Sequence, residues 1–285
     1  MFLILGYIII LGASLGTYAV HGSLAVLWVP MEYLAIFGLF IGGFIASNST
    51  KTIKSTLGAL PSALKGSKYN RELYMDTLLL LFEVLSKIRK DGLVSIEGDV
   101  DNPRGSPLFS GYPDVIEDDH VLDFLTDYLR MMVGGNLNTL EIEALMDQEL
   151  EVHHHEAELP AHVMSKVADA LPAFGIVVAV MGVVNVMSSV GQPPAILGKM
   201  IGGALIGTFL GILISYGFVA PIASLLDQKA QESGKIFQLI KTILLASMSG
   251  YAPQVAVEFG RKVLPADLRP SFSELEEELR ARKVR

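Results

Sequence analysis

Residues 171–190 read LPAFGIVVAVMGVVNVMSSV, with no Asp, Glu, Lys or Arg among them. A helix needs about 20 mainly apolar residues to cross the hydrocarbon of a bilayer, so this stretch predicts a transmembrane helix. Three other windows have the same character: Phe2–Val20, Leu24–Ala46 and Met200–Ala223. The first could be mistaken for a secretion signal. No Lys or Arg precedes it, however, and it is longer than the apolar region of a signal peptide, so a retained helix is expected. The prediction is an all-α polytopic membrane protein with four transmembrane helices.

Composition agrees. Hydrophobic residues make up 51% of the 285 and charged residues 18%, against about 25% charged in soluble domains. The mean hydropathy is +0.46. The chain has no cysteine, which excludes disulfides and thiolate metal sites. A formal charge of −8 argues against nucleic acid, which calls for a basic face.

Between the first two windows the chain has only His21 to Ser23. Between the last two lies Gly191 to Lys199, with the turn signal Gln192-Pro193-Pro194. Both pairs therefore read as hairpins, 1–46 and 171–223. Every Lys and Arg except Lys199 lies in 47–170 or after Ala223. The positive-inside rule makes those regions cytoplasmic: a helical domain over 47–170 and C-terminal helices over 224–285, with both termini inside. Small residues recur in the spans, at Gly38, Gly42 and Gly43, then at Gly202, Gly203, Gly207 and Gly211. Spacings of four place them on one helix face, where helices can approach closely.

The cytoplasmic segments carry helical periodicity and no convincing strand alternation. Leu78, Leu81, Phe82, Leu85 and Ile88 recur within Glu72–Lys90, and Asp91-Gly92 is a stop signal. A second helix is expected over Val121–Val133, ending at Gly134-Gly135. A third, acidic one is capped by Asn138 or Thr139. Leu225–Ser247 reads as amphipathic, and Ser271 or Ser273 starts a charged final helix.

Candidate chemistry is sparse. His153-His154-His155 invites a metal, but consecutive helical residues point about 100° apart, so a solvated helix face accounts for them better and no metal site is expected. No nucleophile elbow, phosphate loop or dinucleotide fingerprint is present, so no enzyme is expected. The ionisable residues near the spans say more. The first, third and fourth windows have none; the second has Glu32 near its outer end, and Asp169 stands just before the third. An ionisable group in a membrane is a functional candidate, although Glu32 also reads as an interfacial acid and Asp169 as a helix N-terminal one. A proton or sodium path needs a group that holds the ion at mid-membrane, and these spans offer none. Either the chain moves no ions, or a partner supplies the carboxylate. Pro172 opens the third window, where a missing N–H costs little. Pro221 closes the fourth ahead of Leu225 and Leu226, so a kink is expected there.

Several blocks resemble a known family. Leu171-Pro172-Ala173-Phe174-Gly175-Ile176, Gly207-Thr208-Phe209-Leu210-Gly211-Ile212 and Tyr216-Gly217 are similar to the third and fourth spans of MotA-type flagellar stator subunits. Asn138 to Asp147, Gly250-Tyr251-Ala252-Pro253, Val257 to Lys262 and Arg269-Pro270-Ser271-Phe272 match further blocks in order. The resemblance implies a bacterial inner-membrane protein whose copies, as a homopentamer, surround the membrane helices of a peptidoglycan-anchored, MotB-like B subunit. That B subunit carries the ion-binding aspartate. Ion flow then turns the ring, which pushes electrostatically on the rotor protein FliG. Transferred by position, Pro172 and Pro221 are coupling prolines, Tyr216 is a channel-side residue, and Arg89 and Glu97 contact the rotor. Sodium-driven relatives carry threonines at the positions of Ala179 and Gly207, the latter beside Thr208. Losing those hydroxyls removes oxygen ligands that a hard cation wants, so the resemblance implies protons rather than sodium and no cofactor. Two alternatives stay open: an energiser similar to ExbB or TolQ, and a membrane scaffold that transports nothing.

Overall fold

The computed structural model describes residues 2–135 and 138–283. Its α-helices in chain order are α1 (Phe2–His21), α2 (Pro30–Ser47), α3 (Thr50–Ala59), α4 (Arg71–Asp91), α5 (Glu97–Asp101), α6 (Pro113–Glu117), α7 (Asp119–Gly134), α8 (Thr139–Met187), α9 (Pro194–Ile214), α10 (Ala220–Met248), α11 (Pro253–Val263) and α12 (Phe272–Lys283). Short 3₁₀ turns and one π-turn, Ser215–Val219, join them. No strand occurs among the described residues. Four stretches are long and apolar enough to cross a membrane: α1, α2, α8, and the run from Pro194 to Met248.

Proline shifts the helix starts away from the apolar windows. The second window opens as a 3₁₀ turn, Leu24–Leu27, and α2 begins only at Pro30. A residue before proline is driven out of the α region, and Val29 has φ −123° and ψ 86°. Glu32 thus falls in the first turn of α2, where the helix dipole favours an acid. Conversely, α9 starts at Pro194 inside the expected linker, because proline suits the first turn. The acidic third helix and the third span are one 49-residue helix, α8, with Pro160 and Pro172 inside it. The expectation that Pro172 opens a helix is therefore corrected: its missing N–H falls in a helix interior and has a cost.

The chain forms two compact units, Met1–Gly66 with Glu158–Gln228, and Ser67–Ala157 with Lys229–Arg285. The first holds the apolar helices. It has two buried clusters, one of Ile36, Val167, Leu171, Val178, Ile206 and Leu210 and a smaller one of Ala63, Ala161, Met164, Ala223 and Leu226. Around these many large apolar side chains stand exposed, among them Ile8, Leu34, Val184 and Leu205. Lipid chains are as apolar as these side chains, so helices there associate through close packing and hydrogen bonds rather than through the hydrophobic effect. Glycine supplies the packing. A Cβ on Gly211 would lie 2.7 Å from the Leu171 carbonyl oxygen, and one on Gly175 2.8 Å from the Gly207 oxygen. A Cβ on Gly182 would meet that of Ala204 at 2.6 Å. The backbones of α8 and α9 thus touch along a seam of small residues. Nothing lies within 4 Å of a Cβ on Gly38, Gly42 or Gly202, so only part of the glycine pattern serves packing within the chain.

The second unit has a conventional core. Leu78, Leu79, Leu80 and Leu81 of α4 are all buried. That surrounds the helix, beyond the single face its periodicity indicated, and an all-round apolar helix belongs in a core. Residues of α7, α10, α11 and α12 pack on it, including Leu125, Leu129, Ile240, Leu244, Val257 and Leu275. The helix stops are glycines in the left-handed region, Gly92 at φ 87° after α4 and Gly135 at φ 70° after α7. Asn138 and Glu141 cap α8 reciprocally, as Ser271 and Glu274 cap α12. Buried Arg261 donates to the Pro270 carbonyl at 2.8 Å and pairs with Glu258, which ties α11 to the turn before α12.

His153 turns inward, where a solvated face was expected. Its ring is 4.4 Å from that of Phe237 and 6.5 Å from that of His120; His154 and His155 stay exposed. Burial, then the nearby His120, hold the His153 pKa below its ordinary value, against the pull of Asp118 and Glu156.

Two outcomes are expected. Gly211→Ala should weaken the α8–α9 seam by about 1–3 kcal/mol, and Gly202→Ala should have little effect, as read by thermal unfolding in detergent. The unfolded chain protonates His153 more readily than the folded one does. Its contribution to stability is therefore complete above about pH 6.5 and is lost as pH falls below that value. His153→Gln should flatten the fall in melting temperature between about pH 7 and 5.5.

Candidate functional site

A proline within a helix has no N–H to offer the carbonyl four residues back. For Pro172 that carbonyl belongs to Ala168, which is 3% exposed. Leaving such a group unpaired costs roughly 1–3 kcal/mol. The hydroxyl of Ser215, itself fully buried, donates to the Ala168 oxygen across 47 residues of sequence. A serine on the neighbouring helix thus replaces the bond that Pro172 removed.

Ser215 also opens the π-turn Ser215–Val219, whose closing bond runs from the Ala220 N–H to the Ser215 carbonyl. The turn ends just before Pro221. A proline ring clashes with the carbonyl four residues back, which is that of Gly217, and a π-turn widens the helix where the clash would occur. The kink expected at Pro221 therefore takes the form of a π-turn ahead of it. Two contacts from α1 hold that turn. Tyr7 donates to the Phe218 carbonyl at 2.7 Å, with the rings 4.8 Å apart. A Cβ on Gly217 would sit 3.2 Å from Ile10.

Tyr216 is 64% exposed. It lines a recess of about 390 Å³ with Glu158, His162, Asp169 and Asp227, and with Ser165 and Ser224; no Lys or Arg lines it. Such a one-signed recess raises the local concentration of cations. Gly207 is buried, and a Cβ there would lie 3.0 Å from Val178, the neighbour of half-buried Ala179. Thr208 is half-buried, with its Cα 3.3 Å from the position of a Gly175 Cβ. Pro172, Pro221, Tyr216, Ala179, Gly207 and Thr208 all belong to the first unit.

Arg89 and Glu97 belong to the second unit. Arg89 is exposed in the last turn of α4 and lines a recess of about 410 Å³ with Lys90, Phe82, Ser86 and Ala252-Pro253-Gln254. Glu97 is exposed at the start of α5. Beside them in the chain lies a bonded network that sequence reasoning missed. Lys87 Nζ is 2.6 Å from Asp99 Oδ2, and the Ser106 hydroxyl donates to Asp99 Oδ1 at 2.7 Å. Burial pushes the Asp99 carboxyl up, but hydrogen bonds from Lys87 and Ser106 and the Lys87 charge outweigh it, so its pKa lies below the ordinary value. Ser215, Tyr7 and Asp99 were missed because each acts through a partner far along the chain or across a loop. For Ser215 the sequence signal was a serine in an apolar span shortly before Pro221.

Comparison with known proteins supplies a family. Residues 4–92 match the family described as Motility protein A N-terminal, and residues 117–238 match the MotA/TolQ/ExbB proton channel family. Motility protein A of Escherichia coli (strain K12) is 50% identical over 284 residues, 99% of this chain and 96% of the relative. Two solved structures share the fold. One is titled "Structure of C. jejuni MotAB", with TM-score 0.76 and 21% identity, covering 95% of this chain and 98% of the other. The second is the "flagellar MotAB stator complex from Bacillus subtilis", with TM-score 0.70 and 22% identity, covering 92% and 95%.

The Ser215 hydroxyl and Pro172 should behave as a coupled pair. Ser215→Ala alone orphans the Ala168 carbonyl and should cost about 1–3 kcal/mol. In a Pro172→Ala background the chain has its own N–H at residue 172, and Ser215→Ala should then cost much less. A double-mutant cycle by thermal unfolding in detergent measures the difference.

Proposed function

The chain belongs to the motility protein A family, and from that membership and the geometry of its spans we propose how it couples ion flow to torque. It is a stator subunit of the flagellar motor, a multi-pass membrane protein of a proton channel family, and not an enzyme. Identity along the full length, including the motility-specific segment 4–92, sets the outer-membrane energiser aside. In the proposed arrangement both termini are cytoplasmic in the bacterial inner membrane. Copies of the chain form a ring, a pentamer, around a peptidoglycan-anchored B subunit. The name MotAB carried by both structural relatives supports such a partner.

One observation carries the mechanism: the candidate spans hold no Asp, Glu, Lys or Arg at mid-membrane, yet they hold two prolines that interrupt the backbone ladder, Pro172 with its freed carbonyl bonded by Ser215 and Pro221 preceded by a π-turn. The missing carboxylate is assigned to the B subunit. Ala179 and Gly207 bring no hydroxyl, which suits a proton better than sodium. Tyr216, Thr208 and the acidic recess beside Asp169 then line the path. Protonation of the partner's carboxylate changes the charge against the ring. The helices flex most easily at Pro172 and Pro221, where a single side-chain hydroxyl stands in for the backbone bond at one and a π-turn interrupts the helix at the other. In the cytoplasm, exposed Arg89 and Glu97 push against complementary charges on the rotor protein FliG.

The test co-expresses the full chain with its B partner in cells lacking their own stators. Pro172→Ala and Pro221→Ala should abolish swimming while the protein reaches the membrane at the normal level, and swimming of the unaltered pair should respond to a protonophore and not to sodium. Normal motility in both variants would refute the coupling role.

A further inference from the structure

Two exposed opposite charges can act as a contact only if something fixes the distance between them. Arg89 sits in the last turn of α4. Glu97 lies beyond Gly92, in a segment of short turns: a 3₁₀ turn Leu93–Ile96, the five-residue α5, and a 3₁₀ turn Pro103–Gly105. None of these turns has a side-chain cap, and helices this short have little stability of their own. Among the described residues neither Arg89 nor Glu97 has an ion-pair partner, so they do not hold each other.

We propose that Asp99 is the positioning residue of the torque contact: its carboxylate, gripped by Lys87 of α4 on one oxygen and by Ser106 on the other, sets the separation of Arg89 and Glu97. This rests on the rotor-contact role given to those two residues. The phase of the helices supports it. Residues two apart on a helix point about 200° apart, so Lys87 turns inward where Arg89 turns out, and Asp99 turns inward where Glu97 turns out. Exposure follows: the Asp99 side chain is 12% exposed and that of Lys87 36%, whereas Arg89 and Glu97 are both exposed. The clamp has a firm base. Ser106 is buried and also accepts the Leu108 N–H at 3.1 Å, and Val100, beside Asp99, is buried in the core. Each oxygen of Asp99 therefore bonds a different segment, one on each side of Glu97 in the chain. Each displayed charge stands two positions along the chain from the clamp, so a loss at Asp99 reaches both charges without touching the rotor.

The experiment records single-stator torque steps on bead-loaded motors, with the full chain and its B partner in stator-less cells, alongside the amount of complex in the membrane. Asp99→Asn and Ser106→Ala should lower torque per step about twofold or more at an unchanged membrane level. The exchange Lys87→Asp with Asp99→Lys should recover torque that either single change loses. A torque per step at the unaltered level in both Asp99→Asn and Ser106→Ala overturns the proposal. So does a loss seen only as fewer steps of normal size, or an exchange that recovers nothing. If Asp99→Asn does not reach the membrane, Ser106→Ala and the exchange decide. Arg89→Glu and Glu97→Lys form the control arm. If they leave torque per step unchanged, the rotor-contact role has failed and this proposal with it. If they lower it while Asp99→Asn and Ser106→Ala do not, only the positioning role fails.

Discussion

A buried carbonyl must have a donor, and inside a bundle of apolar helices no water supplies one. Pro172 removes the donor for Ala168, and the Ser215 hydroxyl restores it. Much of the membrane unit follows from that substitution. The bond requires α8 to lie close to the start of the π-turn. The closeness is possible because Gly175, Gly207 and Gly211 leave no side chain between the backbones. The π-turn in turn accommodates Pro221 and presents the Phe218 carbonyl to Tyr7 of α1. Helix breaking and helix repair are thus carried out by different helices, which ties three of them to one small region.

This arrangement also suits movement. A continuous backbone ladder spreads its bonds evenly, and bending it breaks several at once. A helix whose ladder is already interrupted, with one hydroxyl in place of an N–H, has a point where a small bend costs least. In apolar surroundings that point also has few alternative partners, so the bond re-forms in the same place. Stability and flexibility at Pro172 come from one feature, a backbone bond handed to a side chain, and at Pro221 from the π-turn that precedes it.

The second unit solves a different problem. In the proposed rotor contact it shows charges to a partner from a segment with little regular structure. Its core is ordinary leucine packing around α4, and buried Arg261 ties α11 to the turn that precedes α12. The Lys87–Asp99–Ser106 network then carries the order of α4 across Gly92 into the turns that bear Glu97. Lys87 and Asp99 neutralise each other, and Arg89 and Glu97 stay exposed. The same division explains His153, which packs on Phe237 while its two neighbours face solvent.

Much was legible along the chain. Apolar length specifies the four spans because a bilayer has one thickness. Helical periodicity with Gly92 and Gly135 marks α4 and α7, since a glycine stop and a 3.6-residue repeat are local properties. Pro172 and Pro221 announce themselves by residue type. The tertiary structure decided what those prolines cost and who meets the cost. Ser215, Tyr7 and Asp99 have no local signature, because the groups they bond lie 47, 211 and 12 residues away. It also decided which glycines touch a neighbour, since Gly202 and Gly211 look alike in sequence and only Gly211 faces α8 closely. The sequence alone determined where the helices are and which lie in the membrane, because those depend on composition within a window. Which backbone groups are mended, and by whom, depends on the approach of distant segments, and only the folded chain specifies that.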